Sequence, residues 1–284
     1  MEVKVGKLAG FCPGVESTIN RANKLLEENN FIYCLGEIVH NSQVIERLEN
    51  KGMITVEKLE EVPDNSVLIF RAHGEPEYKY EIAKQKNIEL HDLTCGNVIL
   101  IHKKVQKEKE DSFIIIIGKK KHPEVLGTKG FAGENCYVVE SEDDILDAYM
   151  EYEKTDLGRV YVVAQTTISS VYFDTLASEI EKNFIEAEVI IDKTICNATE
   201  IRQKETFEMS KKFSTMIIIG GKNSSNTKEL EKIAEVNCEN VYLIETLEDI
   251  KQIDFSNIQE IGIMAGASTP KDVINQVKEY LEKI

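Results

Sequence analysis

Short runs of Val, Ile and other apolar residues recur along the whole chain, bounded by Gly, Asn or Asp and followed by stretches with apolar positions at helical spacing. This alternation predicts strands and helices in turn, an α/β protein. Three runs, at 33–36, 113–117 and 216–219, lead into a glycine or small polar turn and then a helical pattern. Each is followed by a second run with an acidic tail, at 53–56, 137–139 and 241–244, and by a third that ends in a small polar turn, at 67–70, 160–164 and 261–265. The order is the same each time, so the chain reads as three α/β repeats, assigned to 1–94, 95–193 and 194–284. A period this long, without the short repeat of a solenoid, predicts three small units around a pseudo-threefold axis.

Cysteine follows the same repeat. Cys12, Cys95 and Cys196 each sit where a strand-like run gives way to a helical one, and the turn after the next strand comes 28 residues later at His40, 27 at His122 and 28 at Ser224. Ligands gather at the carboxyl ends of strands in open α/β sheets, so the three thiols are expected to face one central cleft. A helix N-terminus favours the thiolate needed to bind a metal, and Pro13 suits the first helical position after Cys12. The spacings of 83 and 101 residues between these cysteines resemble neither a zinc ribbon nor a ferredoxin run. Zinc in a closed site takes a fourth protein ligand, whereas a 4Fe-4S cluster on three cysteines leaves one iron open to substrate, and the cluster is the favoured reading. Cys34, Cys136 and Cys238 lie in or beside apolar runs and read as packing residues.

Composition narrows the function classes. The chain has 284 residues, 42% hydrophobic and 30% charged, with a net charge of -16 and five arginines, which argues against a duplex-binding surface and hence against nucleic acid as a partner. The apolar runs at 113–117 and 216–219 fall far short of the roughly 18 residues a membrane helix needs. No apolar export signal follows the N-terminal charges, so a cytoplasmic protein without membrane attachment is expected, with six thiols that are not structural disulfides.

Polar strand-end turns recur with the cysteines: His40-Asn41, His73-Gly74, His122-Pro-Glu124, Gln165-Thr-Thr167, Ser224-Ser-Asn226 and Ala267-Ser-Thr269. Any single Ser or Asn there reads as a helix cap, but six such turns in register suit an anion such as a phosphate, held by helix amides and polar side chains without many arginines. Glu124 is the carboxylate in this ring nearest a histidine, with Thr166 in the corresponding turn of its own repeat, and it is the candidate proton donor. The basic run at 119–121 reads as a solvated turn.

At these residues the chain closely resembles the 4-hydroxy-3-methylbut-2-enyl diphosphate reductase family, iron-sulfur enzymes of the last step of the non-mevalonate isoprenoid pathway. The resemblance covers essentially the whole chain through Gly10-Phe-Cys-Pro-Gly-Val, His40-Asn41, Arg71-Ala-His-Gly74, His122-Pro-Glu124, Gln165-Thr-Thr167, Thr194-Ile-Cys-Asn-Ala-Thr199, Lys222-Asn-Ser-Ser-Asn226 and Ala265-Gly-Ala-Ser268. It implies a trefoil of three α/β domains around one 4Fe-4S cluster on Cys12, Cys95 and Cys196, and reductive removal of an allylic hydroxyl to give isopentenyl and dimethylallyl diphosphate. Residue by residue it places diphosphate contacts on His40, His73, His122, Ser224, Ser225, Asn226 and Ser268, the threonine near the substrate hydroxyl on Thr166 and the proton donor on Glu124. Reduced ferredoxin or flavodoxin is the implied electron donor. One departure follows the second cysteine, where the family usually continues with proline and this chain reads Cys95-Gly-Asn-Val; it bears on local geometry and leaves the ligand intact. Two other classes stay open on the sequence: a cluster acting only as Lewis acid in a dehydration of the quinolinate synthase type, and a non-catalytic iron-sulfur redox sensor, which has no need of a diphosphate pocket.

Overall fold

The computed structural model describes residues 1–256 and 258–284. Strands β1 (Glu2–Val5), β2 (Ile32–Leu35), β3 (Met53–Val56), β4 (Val67–Phe70) and β5 (Glu89–Asp92) come from the first repeat. The second supplies β6 (Phe113–Ile117), β7 (Cys136–Val139), β8 (Arg159–Ala164) and β9 (Glu188–Ile191), and the third β10 (Thr215–Ile219), β11 (Asn240–Ile244) and β12 (Glu260–Ala265). Between them run helices α1 (Pro13–Glu28), α2 (Ser42–Glu49), α3 (Glu77–Gln85), α4 (Gly96–Glu108), α5 (Pro123–Ala132) and α6 (Asp143–Tyr152). They continue with α7 (Ser170–Asn183), α8 (Asn197–Ser210), α9 (Ser225–Glu235), the short α10 (Leu247–Ile250) and α11 (Lys271–Lys283). The three expected runs of each repeat are therefore strands, and each of the three repeat cysteines directly precedes a helix.

The chain divides into two compact units. One comprises Met1–Ile19, Val39–Leu48 and Asn197–Ile284 and holds a parallel sheet in the order β1-β12-β10-β11. The other comprises Asn20–Ile38 and Glu49–Cys196 and holds two parallel sheets, β3-β2-β4-β5 and β7-β6-β8-β9. All three sheets share one topology. In each, an edge strand leads toward a cysteine, β1 toward Cys12, β5 toward Cys95 and β9 toward Cys196, and pairs with β12, β4 and β8 respectively. The first strand of the chain thus completes the sheet of the last repeat, with Val3 beside Ile261.

Burial explains why the apolar runs lack alternation. Every residue of β6 and β10 is buried, as a parallel strand covered by helices on both faces requires. Ile115, Ile117 and Val162 pack on Leu176, Ile180 and Phe184 in one core, and Ile217, Ile219 and Ile263 on Val273, Val277 and Leu281 in another. The rigid strands hold the polar turns at their carboxyl ends in place. Among the described residues no helix is long and apolar enough to cross a membrane.

Candidate active site

The three repeat cysteines are held in the same way. The amide N–H of Cys12 donates to the Ala267 carbonyl at 3.1 Å, that of Cys95 to Ala72 at 3.0 Å and that of Cys196 to Thr166 at 3.1 Å. Each acceptor stands two residues beyond the end of β12, β4 or β8, so the edge strand and its neighbour release the chain at equivalent points. The six cysteines form no disulfide, and Cys12, Cys95 and Cys196 are half-buried. The Val15 amide lies 3.4 Å from Cys12 Sγ, and the Asn97 side-chain amide 3.0 Å from Cys196 Sγ; both are N–H donors suited to a thiolate.

The other three cysteines are chemically different. Burial pushes the thiols of Cys34 and Cys136 up to about 12, and it also raises Cys238, whose sulfur donates to the carbonyl of Phe213 at 3.1 Å. A metal needs the thiolate, which these environments oppose. Soft sulfur donors, outside any disulfide and half-exposed at three matching strand-to-helix turns, fit an iron-sulfur group, whereas the environments of the remaining three suit packing.

Within the larger unit, the turns after β6 and β8 meet. The Glu124 carboxylate is 3% exposed and accepts from Thr166 twice, from the amide N–H at 2.6 Å and from the hydroxyl at 2.8 Å. Burial pushes its pKa up to about 7, against the opposing pull of those two hydrogen bonds. His122 caps α5: its Nδ1 accepts from the Glu124 amide at 3.2 Å, which leaves Nε2 to carry the proton of the neutral ring. The His73 and His122 rings meet edge to face at 5.5 Å. Gln165 ties the two turns together, accepting from the Lys119 amide at 3.0 Å and donating to Thr167 Oγ1 at 2.8 Å. Gly74, at φ +78°, lets the chain reverse after His73 against the His102 ring; a Cβ there would come within 2.6 Å of His102 Cε1.

In the other unit, His40, Ser224, Ser225, Asn226 and Ser268 lie at neighbouring turns. Ser268 Oγ donates to the His40 carbonyl at 3.1 Å. The loop after β10 passes so close that a Cβ on Gly221 would lie 2.4 Å from the same carbonyl oxygen. Ser224 caps α9, its Oγ accepting from the Thr227 amide at 3.3 Å. Ser225 and Asn226 follow at the first turn of that helix, both buried. Asn226 is 4% exposed, and neither Nδ2 nor Oδ1 has a hydrogen-bond partner; nor has the Thr227 hydroxyl. Buried amides are ordinarily satisfied, so an amide presenting both a donor and an acceptor beside helix N–H groups is suited to a polar ligand such as a phosphate.

Sequence reasoning passed over two contributors, the Arg202–Glu205 pair and Thr227. Arg202 on α8 is buried and donates to the carbonyls of Leu8 at 2.9 Å, Gly10 at 2.9 Å and Ala198 at 3.1 Å. Glu205 accepts from the amides of Lys7 at 2.7 Å and Leu8 at 2.8 Å. Together they clamp the segment that carries Cys12. The signal available was scarcity, because Arg202 is one of only five arginines among 34 basic residues. Thr227 was the other, hidden as the residue after a motif of Ser and Asn.

The sequence profile of the LytB protein family matches residues 3–282. Proteins named 4-hydroxy-3-methylbut-2-enyl diphosphate reductase from Petrotoga mobilis and Aquifex aeolicus are each 38% identical to this chain, over all of it and over 98% and 97% of their own lengths. Among solved structures, the E-1-hydroxy-2-methyl-but-2-enyl-4-diphosphate reductase from Plasmodium falciparum matches with a TM-score of 0.88 at 32% identity, covering 99% of this chain and 87% of that one. An (E)-4-hydroxy-3-methyl-but-2-enyl diphosphate reductase, described as the terminal enzyme of the non-mevalonate pathway, matches over the whole of both chains with a TM-score of 0.71 at 37% identity.

Proposed function

The chain belongs to the LytB protein family, and from that premise we propose that it is a reductase that converts (E)-4-hydroxy-3-methylbut-2-enyl diphosphate to isopentenyl and dimethylallyl diphosphate. The allylic alcohol, two electrons and two protons give the dehydroxylated diphosphate and water. The observation that carries the reading is the Glu124–Thr166 pair, a buried acid poised near neutral pH with a hydroxyl in its hydrogen bond.

Cys12, Cys95 and Cys196 are the residues that hold the 4Fe-4S cluster, one from each of the spans 1–94, 95–193 and 194–284, and their common backbone geometry supports that assignment. The cluster, when bound, would supply the electrons singly together with Lewis acidity, and reduced ferredoxin or flavodoxin would deliver those electrons. His40, His73, His122, Ser224, Ser225, Asn226 and Ser268 bind the diphosphate, and its orientation fixes the reacting carbon. The unsatisfied Asn226 amide supports this role. Neutral His122 offers Nε2–H, and helix α9 offers its first amides.

The proton path runs through the chain's own atoms. With Glu124 ionised, Thr166 Oγ1 donates to Oε2 at 2.8 Å. With Glu124 protonated, Oε2 donates to Thr166 Oγ1 instead, and the hydroxyl turns its own proton to the departing alcohol oxygen, which leaves as water. Positioned acids of this kind contribute about 100- to 10,000-fold.

The test combines anaerobic purification, iron and sulfide analysis, and a reduction assay on the allylic diphosphate. Serine at Cys12, Cys95 or Cys196 is expected to deplete the cluster, and serine at Cys34, Cys136 or Cys238 to leave iron content near wild type. Conversion without electron consumption would assign a Lewis-acid dehydratase instead, and a full cluster with no turnover a redox sensor.

A further inference from the structure

We propose that Asn97 tunes the reduction potential of the cluster by donating an N–H···S hydrogen bond to Cys196, the inference resting on the assignment of Cys196 as a cluster ligand. The Asn97 Nδ2 atom lies 3.0 Å from Cys196 Sγ. A ligating sulfur is a thiolate with no proton to give, so the contact requires the NH2 side of the amide and fixes its orientation. The sulfur contacts of Cys12 and Cys196 differ in kind: Cys12 receives the backbone amide of Val15 at 3.4 Å, whereas Cys196 receives a side chain that substitution can remove.

The placement of Asn97 follows from its helix. Cys95 caps α4, and Asn97 is the second helical residue. Lys104 lies seven positions on, two turns along the same face, and its Nζ is 2.6 Å from Asp192 Oδ2. Tyr161 donates to that same oxygen at 2.5 Å. One face of α4 is therefore docked along the segment between β9 and Cys196 at both ends, by Lys104 on Asp192 and by Asn97 on Cys196. Where the resembled family usually carries proline after the second cysteine, this chain has Gly96, and a Cβ at that position would meet nothing within 4 Å. Packing does not dictate the departure, and the residue after it supplies a donor aimed at sulfur.

The direction of the effect follows from charge. Adding an electron increases the negative charge on the cluster and its sulfurs, so an N–H donor binds the reduced state more strongly than the oxidised state and raises the potential. The partial exposure of Cys196 moderates the effect without reversing it. Asn97 touches a ligand and not the substrate, so it is a positioning residue whose signature is a potential.

The holoprotein, its Asn97→Leu variant, which keeps the size and removes the donor, and its Asn97→Asp variant, which removes the donor and adds a negative charge, are purified anaerobically. Iron and sulfide are counted first, and each protein is then titrated potentiometrically with dithionite, the cluster being followed by its visible absorbance and by electron paramagnetic resonance. Equal cluster content is expected, with midpoints falling in the order wild type, leucine, aspartate. A roughly tenfold loss in the reduction equilibrium for the leucine variant corresponds to about 59 mV for a one-electron couple. Equal midpoints at equal cluster content would overturn the proposal. Wild-type protein without iron and sulfide would overturn the cluster assignment itself, a separate result. Should leucine interfere with folding, Asn97→Ala on this exposed helix position carries the same comparison.

Discussion

Glu124→Gln separates the electrostatics of the site from its shape. The glutamine keeps an oxygen for the Thr166 amide and places an NH2 toward the Thr166 hydroxyl, so both contacts, at 2.6 and 2.8 Å, have a counterpart. What disappears is titration. Burial moves the carboxyl from an ordinary 4.5 to about 7, which corresponds to about 3 kcal/mol of preference for the protonated form in the fold. Between those two pH values the folded chain holds more protons than the unfolded chain, so stability falls as pH rises. The contribution is complete below 4.5 and is lost as pH rises through about 7. Urea unfolding of the apoprotein at about pH 4.5 and about pH 8 is therefore expected to show the variant gaining about 3 kcal/mol on wild type between the two conditions. In the holoenzyme, wild-type turnover is expected to fall above about pH 7 as the protonated fraction falls, and the variant to lose about 100- to 10,000-fold with its cluster retained. A stability difference independent of pH would show that Glu124 titrates normally and refute the burial argument. Near wild-type turnover in the variant would refute its role as proton donor.

Asn226→Ala removes a buried amide with neither group partnered, and isothermal titration with inorganic diphosphate is expected to show affinity falling about ten- to a hundredfold, the value of a hydrogen bond to a charged group; unchanged affinity would detach Asn226 from the anion. Gly74→Ala places a methyl 2.6 Å from His102 Cε1 at φ +78°, so a loss of about 2 kcal/mol or more is expected in urea unfolding, with weaker diphosphate binding through the displaced His73.

The strands and the different positions of the two sets of cysteines were legible because both depend on local pattern. Residues 113–117 and 216–219 are unbroken apolar runs, and a strand buried on both faces must read that way. Cys34 and Cys136 lie inside strands, where burial suppresses the thiolate, while Cys12, Cys95 and Cys196 precede helices, and that contrast is written in the neighbouring residues. Pairing is not local. Nothing near Glu2–Val5 announces that it will lie beside Glu260–Ala265, so the completion of the last sheet by the first strand required the folded chain. The same holds for Arg202, whose partners at Leu8 and Gly10 come from the other end of the sequence.

The sheet topology gives a physical reason why the repeat spacing was so regular. A cysteine that hangs from a carbonyl two residues past the end of a neighbouring strand is positioned by two strands at once, the edge strand that precedes it and the strand that supplies the carbonyl. An insertion between β12 and Ala267, β4 and Ala72, or β8 and Thr166 would move the acceptor and displace the sulfur. Thr166 makes the constraint tighter, because its carbonyl holds the Cys196 amide at 3.1 Å while its own amide and hydroxyl hold Glu124. One residue thus sets the distance between the Cys196 backbone and the Glu124 carboxylate, and a shift that spoiled one contact would spoil the other.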